Sequence, residues 1–409
     1  MNTTADKLQG ILDSKAAIKS AIEAKGVTVG DAPLDEYAGK IADIQQGGGL
    51  QEAPENDVNF YDYDGFRVAS YTIAEAKALT ELPTPPTHEG LTFQEWNWTL
   101  NDISNYNRRY IDVGANYVTT DGKTHMKVVI SGEVETSMTF KFKGTLTVDW
   151  GDGQAPDSIY NNKELNYTFN HIYSAFGEYI IKISFLGDEG DKYGFINRGS
   201  AYTWWKRNMN IVEVNCGENF TFSYNSSFTY IKNYCLLSIA TDTVLTSINT
   251  QYSHISTISI PRTTGAFGNG NFSATLVYKI CFPKSVDTIW SNGMFASLPT
   301  NKLVLPETSA SVTSATVFNS TPQLNILSVP MSWNNAIATV EKYDIVNGWI
   351  PSVNLTLNSQ YMLAVDIVDF FNKLGTTTNT ITLTFGSTNL DKLTAEEKAI
   401  ANNKGYTLA

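Results

Sequence analysis

The residues best placed to do chemistry are Asp149 and Asp152, in the stretch Val148-Asp149-Trp150-Gly151-Asp152-Gly153. Two neighbouring carboxylates can hold a metal ion or share the acid and base steps of glycoside hydrolysis. Glycine and aspartate at this density also form tight turns, in which the aspartate side chain accepts hydrogen bonds from backbone N–H groups. The local sequence therefore predicts a turn, and a carboxylate pair formed in three dimensions stays open as an alternative.

The histidines and cysteines are the other candidates for chemistry. They are His88, His125, His171 and His254, and Cys216, Cys235 and Cys281. Neither set has the spacing of a metal site, and the odd number of cysteines predicts free thiols or ordinary core packing. The glycine-rich stretch 265–270 lacks the basic helix that a phosphate loop needs. We therefore expect no catalytic residue, no metal ligand and no cofactor, and a protein that is not an enzyme.

Composition narrows the class of protein and its partners. Charged residues make up 17% of the 409-residue chain and aromatic residues 12%, a balance that favours β structure with neutral polar surfaces. The net charge of −12 argues against a nucleic-acid partner, because phosphate binding needs a basic face. The N-terminus resembles no signal peptide and no run reaches membrane-spanning length, so we expect no membrane insertion. The length predicts a multidomain chain, and the composition predicts that it is mainly β.

The second half of the chain repeats an apolar, variable, apolar triplet that is closed by Pro261, Pro283, Pro306 and Pro330. A period in the low twenties of residues is typical of a leucine-rich-repeat solenoid, in which each turn adds one strand to a parallel sheet. We therefore predict an irregular solenoid over residues 189–409, with a helical C-terminal cap. The last helix of this cap is predicted to begin with the capping box Thr394-Ala395-Glu396-Glu397 and to end at Gly405. The middle residues of the triplets are predicted to face an exposed sheet surface. They are Asn215, Ser238, Ser259, Cys281, Val304, Ser328, Thr356 and Thr384.

Residues 1–49 are predicted to form a helical segment with two narrow apolar seams. The seam residues are Leu8, Ile11, Ile18, Ile22, Leu34, Tyr37, Ile41 and Ile44. A segment of this length cannot bury a core of its own. We therefore expect it to self-associate, for example as a trimer, or to dock on another protein. A helical hairpin that folds back on its own chain is the alternative. The glycines 47–49 then serve as a flexible joint.

Two units are predicted between the helical segment and the repeats. Residues 50–115 form a small aromatic-rich αβ unit, with two strands around Asp64-Gly65, a short helix at 73–78, and Trp96 and Trp98 packed over an extended segment at 82–90. Residues 116–188 form a β-sandwich. Its predicted strands are Met126–Ile130, Met138–Phe142, Leu146–Trp150 and Tyr179–Phe185.

Three stretches resemble known families. The turn Val148–Gly153, followed by His171-Ile172-Tyr173 and Gly177-Glu178-Tyr179, resembles the motif of PKD domains, which implies an Ig-type sandwich that spaces or presents other modules. The proline-closed triplets and the ending from Thr384 resemble the irregular leucine-rich repeats of bacterial surface adhesins. The opening from Leu8 to Ile41 is similar to the N-terminal segment of tail and fibre proteins of phages that infect gut bacteria.

Together these resemblances imply a structural virion protein of a tail or head fibre, exposed on the phage particle. It would attach to other virion proteins through residues 1–49 and contact a host-surface glycan or protein. A bacterial cell-surface adhesin is the alternative, and a glycan depolymerase is a further one. Aromatic residues at the start of the repeats can stack on sugar rings, although packing in the core or between domains is the favoured explanation for most of them. These candidate ligand-binding residues are Tyr202, Trp204, Trp205, Tyr224 and Tyr230.

Overall fold

The protein is mainly β in the computed structural model, with 44% of residues in strands and 13% in helices, which confirms that part of the predicted fold class. The chain divides into two compact units, Met1–Asn56 and Asp57–Ala409. The structure describes residues 12, 15–16, 18–19, 29–30, 33, 37, 56–131, 135–197, 209–222, 226–227, 235–243, 245, 248–249, 254–263, 272, 276–286, 295, 298, 300–308, 324–333 and 340–409.

The first unit contains the predicted helical segment, of which two seam residues are described. Ile18 occupies an exposed helical position, whereas Tyr37 is helical and buried. The ammonium of Lys15 lies 5.6 Å from the centre of the Tyr37 ring. The remaining seam residues lie outside the described residues, so the prediction of an attachment or oligomerisation seam stays a prediction.

The αβ module, residues 57–119, opens the second unit. Its elements are β1 (Val58–Tyr61), β2 (Arg67–Tyr71), α1 (Ile73–Lys77), β3 (Leu91–Trp96), α2 (Leu100–Ser104) and β4 (Ile111–Thr119). The strands form one sheet in the order β2-β1-β4-β3, in which β1 and β4 are parallel. Gly65 takes a φ of 91° in the turn between β1 and β2, a conformation that glycine adopts without strain. The predicted hairpin and short helix are confirmed.

We call residues 124–197 the sandwich, after their prediction. Its strands are β5 (Thr124–Ile130), β6 (Glu135–Asp149), β7 (Asp157–Ile172), β8 (Gly177–Leu186) and β9 (Tyr193–Asn197). All five of these strands belong to one eight-stranded sheet, so the two-layer arrangement stays a prediction. The sequence predicts separate strands at 138–142 and 146–150, but both belong to the single strand β6. Gly144 has a φ of 120° inside β6, and at this residue the strand changes its neighbour from β9 to β8. The break in apolar alternation at Lys143-Gly144 is therefore a bend in one strand.

Strand β7 has no counterpart among the predicted strands. It pairs antiparallel with β6 along almost its whole length and, within the described residues, pairs with no other strand. Phe142 pairs with Leu165 whereas Gly144 pairs with Asn161, so residues 162–164 bulge opposite Lys143. A bulge in the middle of an edge strand hinders pairing with a further strand. The apolar alternation that would predict β7 from the sequence is weak, because most of its side chains are exposed and uncharged.

Many short strands and three helices follow along the repeats. The strands are β10 (Met209–Asn215), β11 (Phe220–Thr221), β12 (Ser226–Ser227), β13 (Leu236–Ser238), β14 (Ile248–Asn249), β15 (His254–Ser259), β16 (Leu276–Cys281), β17 (Ser285–Val286), β18 (Lys302–Val304), β19 (Glu307–Thr308), β20 (Ile326–Ser328), β21 (Lys342–Asp344), β22 (Leu355–Thr356), β23 (Ile381–Thr384) and β24 (Tyr406–Leu408). The helices are α3 (Ala364–Lys373), α4 (Ser387–Leu390) and α5 (Ala395–Asn402).

The repeated triplets pair in parallel with their apolar positions in register. Ile258 pairs with Ile280, and Leu303 pairs with Leu327. We call the strands that carry the triplets, from β10 to β24, the rung strands. The first of them, β10, is antiparallel to β5 and parallel to β13, so the sandwich and the rung strands share a sheet. Their buried side chains form one core that extends from Met126 to Tyr406.

The C-terminal end matches its prediction closely. Helix α5 begins with a capping box, in which Thr394 and Glu397 each bond the backbone N–H of the other, as the sequence indicates. Gly405 ends this segment with a φ of 93°. Strands β22, β23 and β24 form a parallel sheet, and Thr356 is exposed on its outer side.

The predicted exposed face of the repeats is wrong for most of its length. Of the eight middle residues, only Thr356 is exposed, while Asn215 and Thr384 are half-buried. The remaining five are at most 4% exposed, and they are Ser238, Ser259, Cys281, Val304 and Ser328. The reason is that the αβ module covers this face, as its hydrogen bonds show.

Buried side chains of the αβ module bond to backbone carbonyls at the ends of the rung strands. Asn97 donates from Nδ2 to the carbonyls of Ile260 and Cys281, at 3.1 and 2.8 Å. Trp98 donates from Nε1 to the carbonyl of Phe282 at 2.7 Å. Trp96 packs over the extended segment as predicted and bonds the carbonyl of Pro83, but Trp98 faces the rung strands instead.

Gly114 of β4 marks the closest approach of the two sheets. A side chain at this position would collide with Ser259 and with Cβ of Cys281. Asn116 lies on the same strand and donates from Nδ2 to the carbonyls of Ile239 and Ser259. The covering of the rung strands is therefore a close fit between two backbones, made possible by glycine on one side and small side chains on the other.

Candidate functional site

The Asp149–Asp152 turn is held by its own backbone. Asp149 accepts the N–H of Gly151 at 3.0 Å, and Asp152 accepts the N–H of Gln154 at 3.1 Å. Burial opposes charge on Asp152, but the hydrogen bonds from Gln154 and His171 outweigh it and lower the pKa of this carboxyl group. Both carboxylates thus stabilise the turn, as the sequence predicts.

His171 completes this turn. Its Nε2 lies 2.9 Å from Oδ2 of Asp152, and its ring stacks on that of Trp150 with 4.6 Å between centres. Tyr173 donates its hydroxyl to the carbonyl of Trp150. Side chains that bond one another and the turn backbone in this way hold the turn in place, which is a structural role.

Two further histidines also pair with aspartate. His88 lies 2.7 Å from Asp62, and His125 lies 3.0 Å from Asp121. Asp62 is almost fully buried, and this burial raises its pKa despite the neighbouring His88. The fourth histidine, His254, begins β15. The contacts of His88, His125 and His171 agree with the expectation that the histidines are structural, although no sequence pattern indicated the aspartate partners.

Charged groups buried between the αβ module and the rung strands join the two. Asp112 of β4 lies 2.8 Å from the ammonium of Lys302 and 3.7 Å from that of Lys279. Asp344 of β21 accepts the backbone N–H of Arg109 at 2.9 Å and the hydroxyl of Ser328 at 2.8 Å. Buried pairs of this kind specify how two surfaces fit together more than they stabilise them.

An exposed uncharged surface lies at one corner of the outer face of the sandwich, and we call it the Tyr160 patch. It consists of two rows of side chains on β7, β6 and β8. One row is Tyr160, Thr145 and Leu186, and the other is Ser158, Thr147 and Ser184. Tyr160 is 71% exposed and Leu186 is 75% exposed.

The strands determine why these side chains share a face. Directly opposed residues of antiparallel strands point to the same side of a sheet, so each row lies across three strands. The intervening residues Leu146 and Val148 are fully buried, which fixes the row residues on the outer side. From strand geometry the patch is about 10 Å wide, with about 7 Å between its rows. Sequence reasoning missed it because β7 was not predicted, although Thr145 and Thr147 alternate with buried residues.

The candidate ligand-binding aromatic residues lie outside the described residues. They are Tyr202, Trp204, Trp205, Tyr224 and Tyr230. Their role in binding therefore stays a prediction.

Within the part of the chain that the structure describes, no three His, Cys, Asp or Glu side chains converge in a group that could hold a metal ion. None of the described helices combines the length and the apolar character that crossing a membrane requires. Comparison of the chain with family models, with curated proteins and with solved structures finds no match.

Proposed function

We propose that this protein is a non-enzymatic structural component of a phage tail or head fibre, which attaches to the particle through residues 1–49 and presents residues 57–409 to the host surface. The observation that carries the proposal is the burial of one face of the rung strands. Their sheet face is buried under the αβ module, whereas the sandwich exposes uncharged side chains such as Tyr160 and Leu186. An exposed uncharged surface of this kind suits adhesion.

The architecture within this proposal has two parts. We infer that the sandwich is PKD-like, which the stacked Trp150 and His171 and the bond from Tyr173 to the turn support. We infer that the rung strands form an irregular leucine-rich-repeat solenoid. The parallel, in-register pairing of the triplets and the change to helices at the C-terminal end support this inference.

The test has two parts, location and adhesion. Antibodies against residues 57–409 are expected to label purified phage particles, and the purified full chain is expected to bind host cells in a saturable way. Particles that lack the protein overturn the virion assignment. If the protein is found on bacterial cells instead, the alternative of a cell-surface adhesin, which the parallel rung strands support equally, replaces it.

Catalysis on a host glycan is the outcome that would overturn the non-enzymatic part of the proposal. Capsular polysaccharide is incubated with the full chain, and reducing ends are measured over time. We expect no release above the level with buffer. Release that rises with protein concentration shows a depolymerase and refutes the proposal.

A further inference from the structure

The geometry points to the Tyr160 patch as a binding site for an uncharged hexose polymer. This inference rests on the proposed function, because it names the ligand class of an adhesive face. Its first support is the pair of apolar side chains at the two ends of the row formed by Tyr160, Thr145 and Leu186. Tyr160 and Leu186 leave most of their surface in water although each lies on a regular strand of a well-packed sandwich. The aromatic ring of Tyr160 offers a flat apolar face for the C–H face of a pyranose.

The second support is the row of hydroxyl groups beside this platform. Ser158 and Thr147 lie opposite each other with 2.8 Å between their hydroxyl oxygens. Each hydroxyl can donate one hydrogen bond and accept two, so this mutual bond leaves capacity for a ligand on both. Thr145 and Ser184 add two further hydroxyls to the same face. The hydroxyl groups of a sugar ring stacked on Tyr160 would find hydrogen-bond donors and acceptors in the second row, about 7 Å away.

The third support is charge, which selects among glycans. The patch carries no ionisable side chain other than the tyrosine. The charged side chains around it are balanced in number: Lys143 bonds Asp188 at 3.0 Å and Asp191 at 3.1 Å, and Lys163 lies in the neighbouring bulge. Lys182 lies opposite Asp149 in the next row of the sheet. Lysines and aspartates around the patch are thus equal in number, so in a chain with a net charge of −12 an anionic polymer meets repulsion and a neutral polymer does not.

The size of the patch favours a glycan over a protein. A stable protein interface buries about 800 Å² on each partner, which is far more than two rows of three side chains provide. The bulge at residues 162–164 further hinders pairing with a strand of another protein. A glycan needs only a few sugar rings in contact, and a repeating polymer adds affinity through many copies on a cell.

The test measures binding of the full chain by calorimetry. The probes are the neutral oligosaccharides cellohexaose, maltohexaose and mannohexaose, with hexagalacturonate as the anionic counterpart. We expect binding to at least one neutral probe and none to the anion. Tyr160→Ala and Leu186→Ala are each expected to weaken binding about tenfold, through loss of the stacked ring at Tyr160 and of an apolar contact at Leu186.

Two control variants distinguish binding at the patch from the effect of removing any exposed apolar side chain. Tyr361 is 65% exposed and Leu363 is 61% exposed, both in the C-terminal part of the chain. Tyr361→Ala and Leu363→Ala are expected to bind as the unchanged chain does. Thermal unfolding of all four variants checks that the fold is kept, since these side chains contribute little to the core.

Three results overturn the inference: no binding to any neutral probe, equal binding to the anion, or unchanged affinity of Tyr160→Ala. Adsorption to host cells that is lost in Tyr160→Ala while no neutral probe binds identifies a protein receptor and also overturns it. The proposed function is tested separately by particle labelling. A labelled particle whose adsorption is unaffected by Tyr160→Ala refutes the site and leaves the fibre assignment intact.

Discussion

Replacing Asn97 by alanine is the sharpest test of the covering of the rung strands. The side chain of Asn97 is fully buried and makes three hydrogen bonds. Its Nδ2 donates to the carbonyls of Ile260 and Cys281, and its Oδ1 accepts the N–H of Gly114 at 2.7 Å. One side chain therefore joins β4 to the ends of two rung strands.

The expected loss in the free energy of unfolding follows from the backbone groups that lose a hydrogen bond. Cys281 keeps the backbone N–H of Ile260 at 2.9 Å, so its carbonyl stays bonded. The N–H of Gly114 and the carbonyl of Ile260 lose the partner that Asn97 provides, and each such buried group costs about 1–3 kcal/mol. We expect Asn97→Ala to lower the free energy of unfolding by about 3 kcal/mol. Asn97→Asp is expected to cost at least as much, because a carboxylate would face two carbonyls.

Two assays measure this effect. Urea unfolding gives the change in stability, and the labelling rate of the Cys281 thiol reports opening at the interface itself, because Cys281 is buried beneath Gly114. A loss of about 3 kcal/mol in the docking of the αβ module makes opening about a hundredfold more frequent. Peptide mass spectrometry after labelling identifies the modified cysteine.

Asn105→Ala is the matched control. Asn105 is exposed and bonds only to Asn101 in its own helix, so its loss is expected to change stability by less than about 0.5 kcal/mol. If Asn97→Ala leaves both stability and Cys281 labelling at the level of this control, the docking of the αβ module on the rung strands is refuted.

Three further changes test other parts of the structure. Asp152→Asn is expected to destabilise the fold near neutral pH and to match the unchanged chain in acid. The lowered pKa of Asp152 contributes stability that is present above pH 3.8 and is lost as the pH falls through the folded-state pKa, which unfolding at several pH values measures. Gly144→Val is expected to cost about 2 kcal/mol or more in thermal unfolding, because its φ of 120° and the nearby Leu186 carbonyl exclude a side chain. Removal of residues 1–49 is expected to reduce the native mass to that of one chain, and an unchanged monomer before and after removal would refute the attachment segment.

Local patterns account for much of what could be predicted. The Asp-Gly turn of the αβ module, the capping box at Thr394 and the turn at Asp152 each depend on residues a few positions apart, whose hydrogen bonds the sequence fixes by itself. The parallel triplets were predictable because a constant period brings equivalent apolar residues to the same place in each repeat.

What could not be predicted depends on contacts between distant parts of the chain. Ser259 and Cys281 were expected in water because small residues alternate there with apolar ones, and the alternation says which side faces the core but not what lies on the other side. Strand β7 was missed for a related reason. An edge strand that buries few of its side chains carries little apolar alternation for a sequence pattern to reveal.

The sequence by itself determined the β-rich character of the chain, the period of its rung strands and the chemistry of its tight turns, because each of these follows from composition or from near neighbours. Only the tertiary structure decided which surfaces stay in contact with water. The αβ module reaches residues more than a hundred positions away through Asn97, Trp98 and Asn116, and no local pattern encodes such a contact. By covering the rung strands, it removes their sheet face from contact with water.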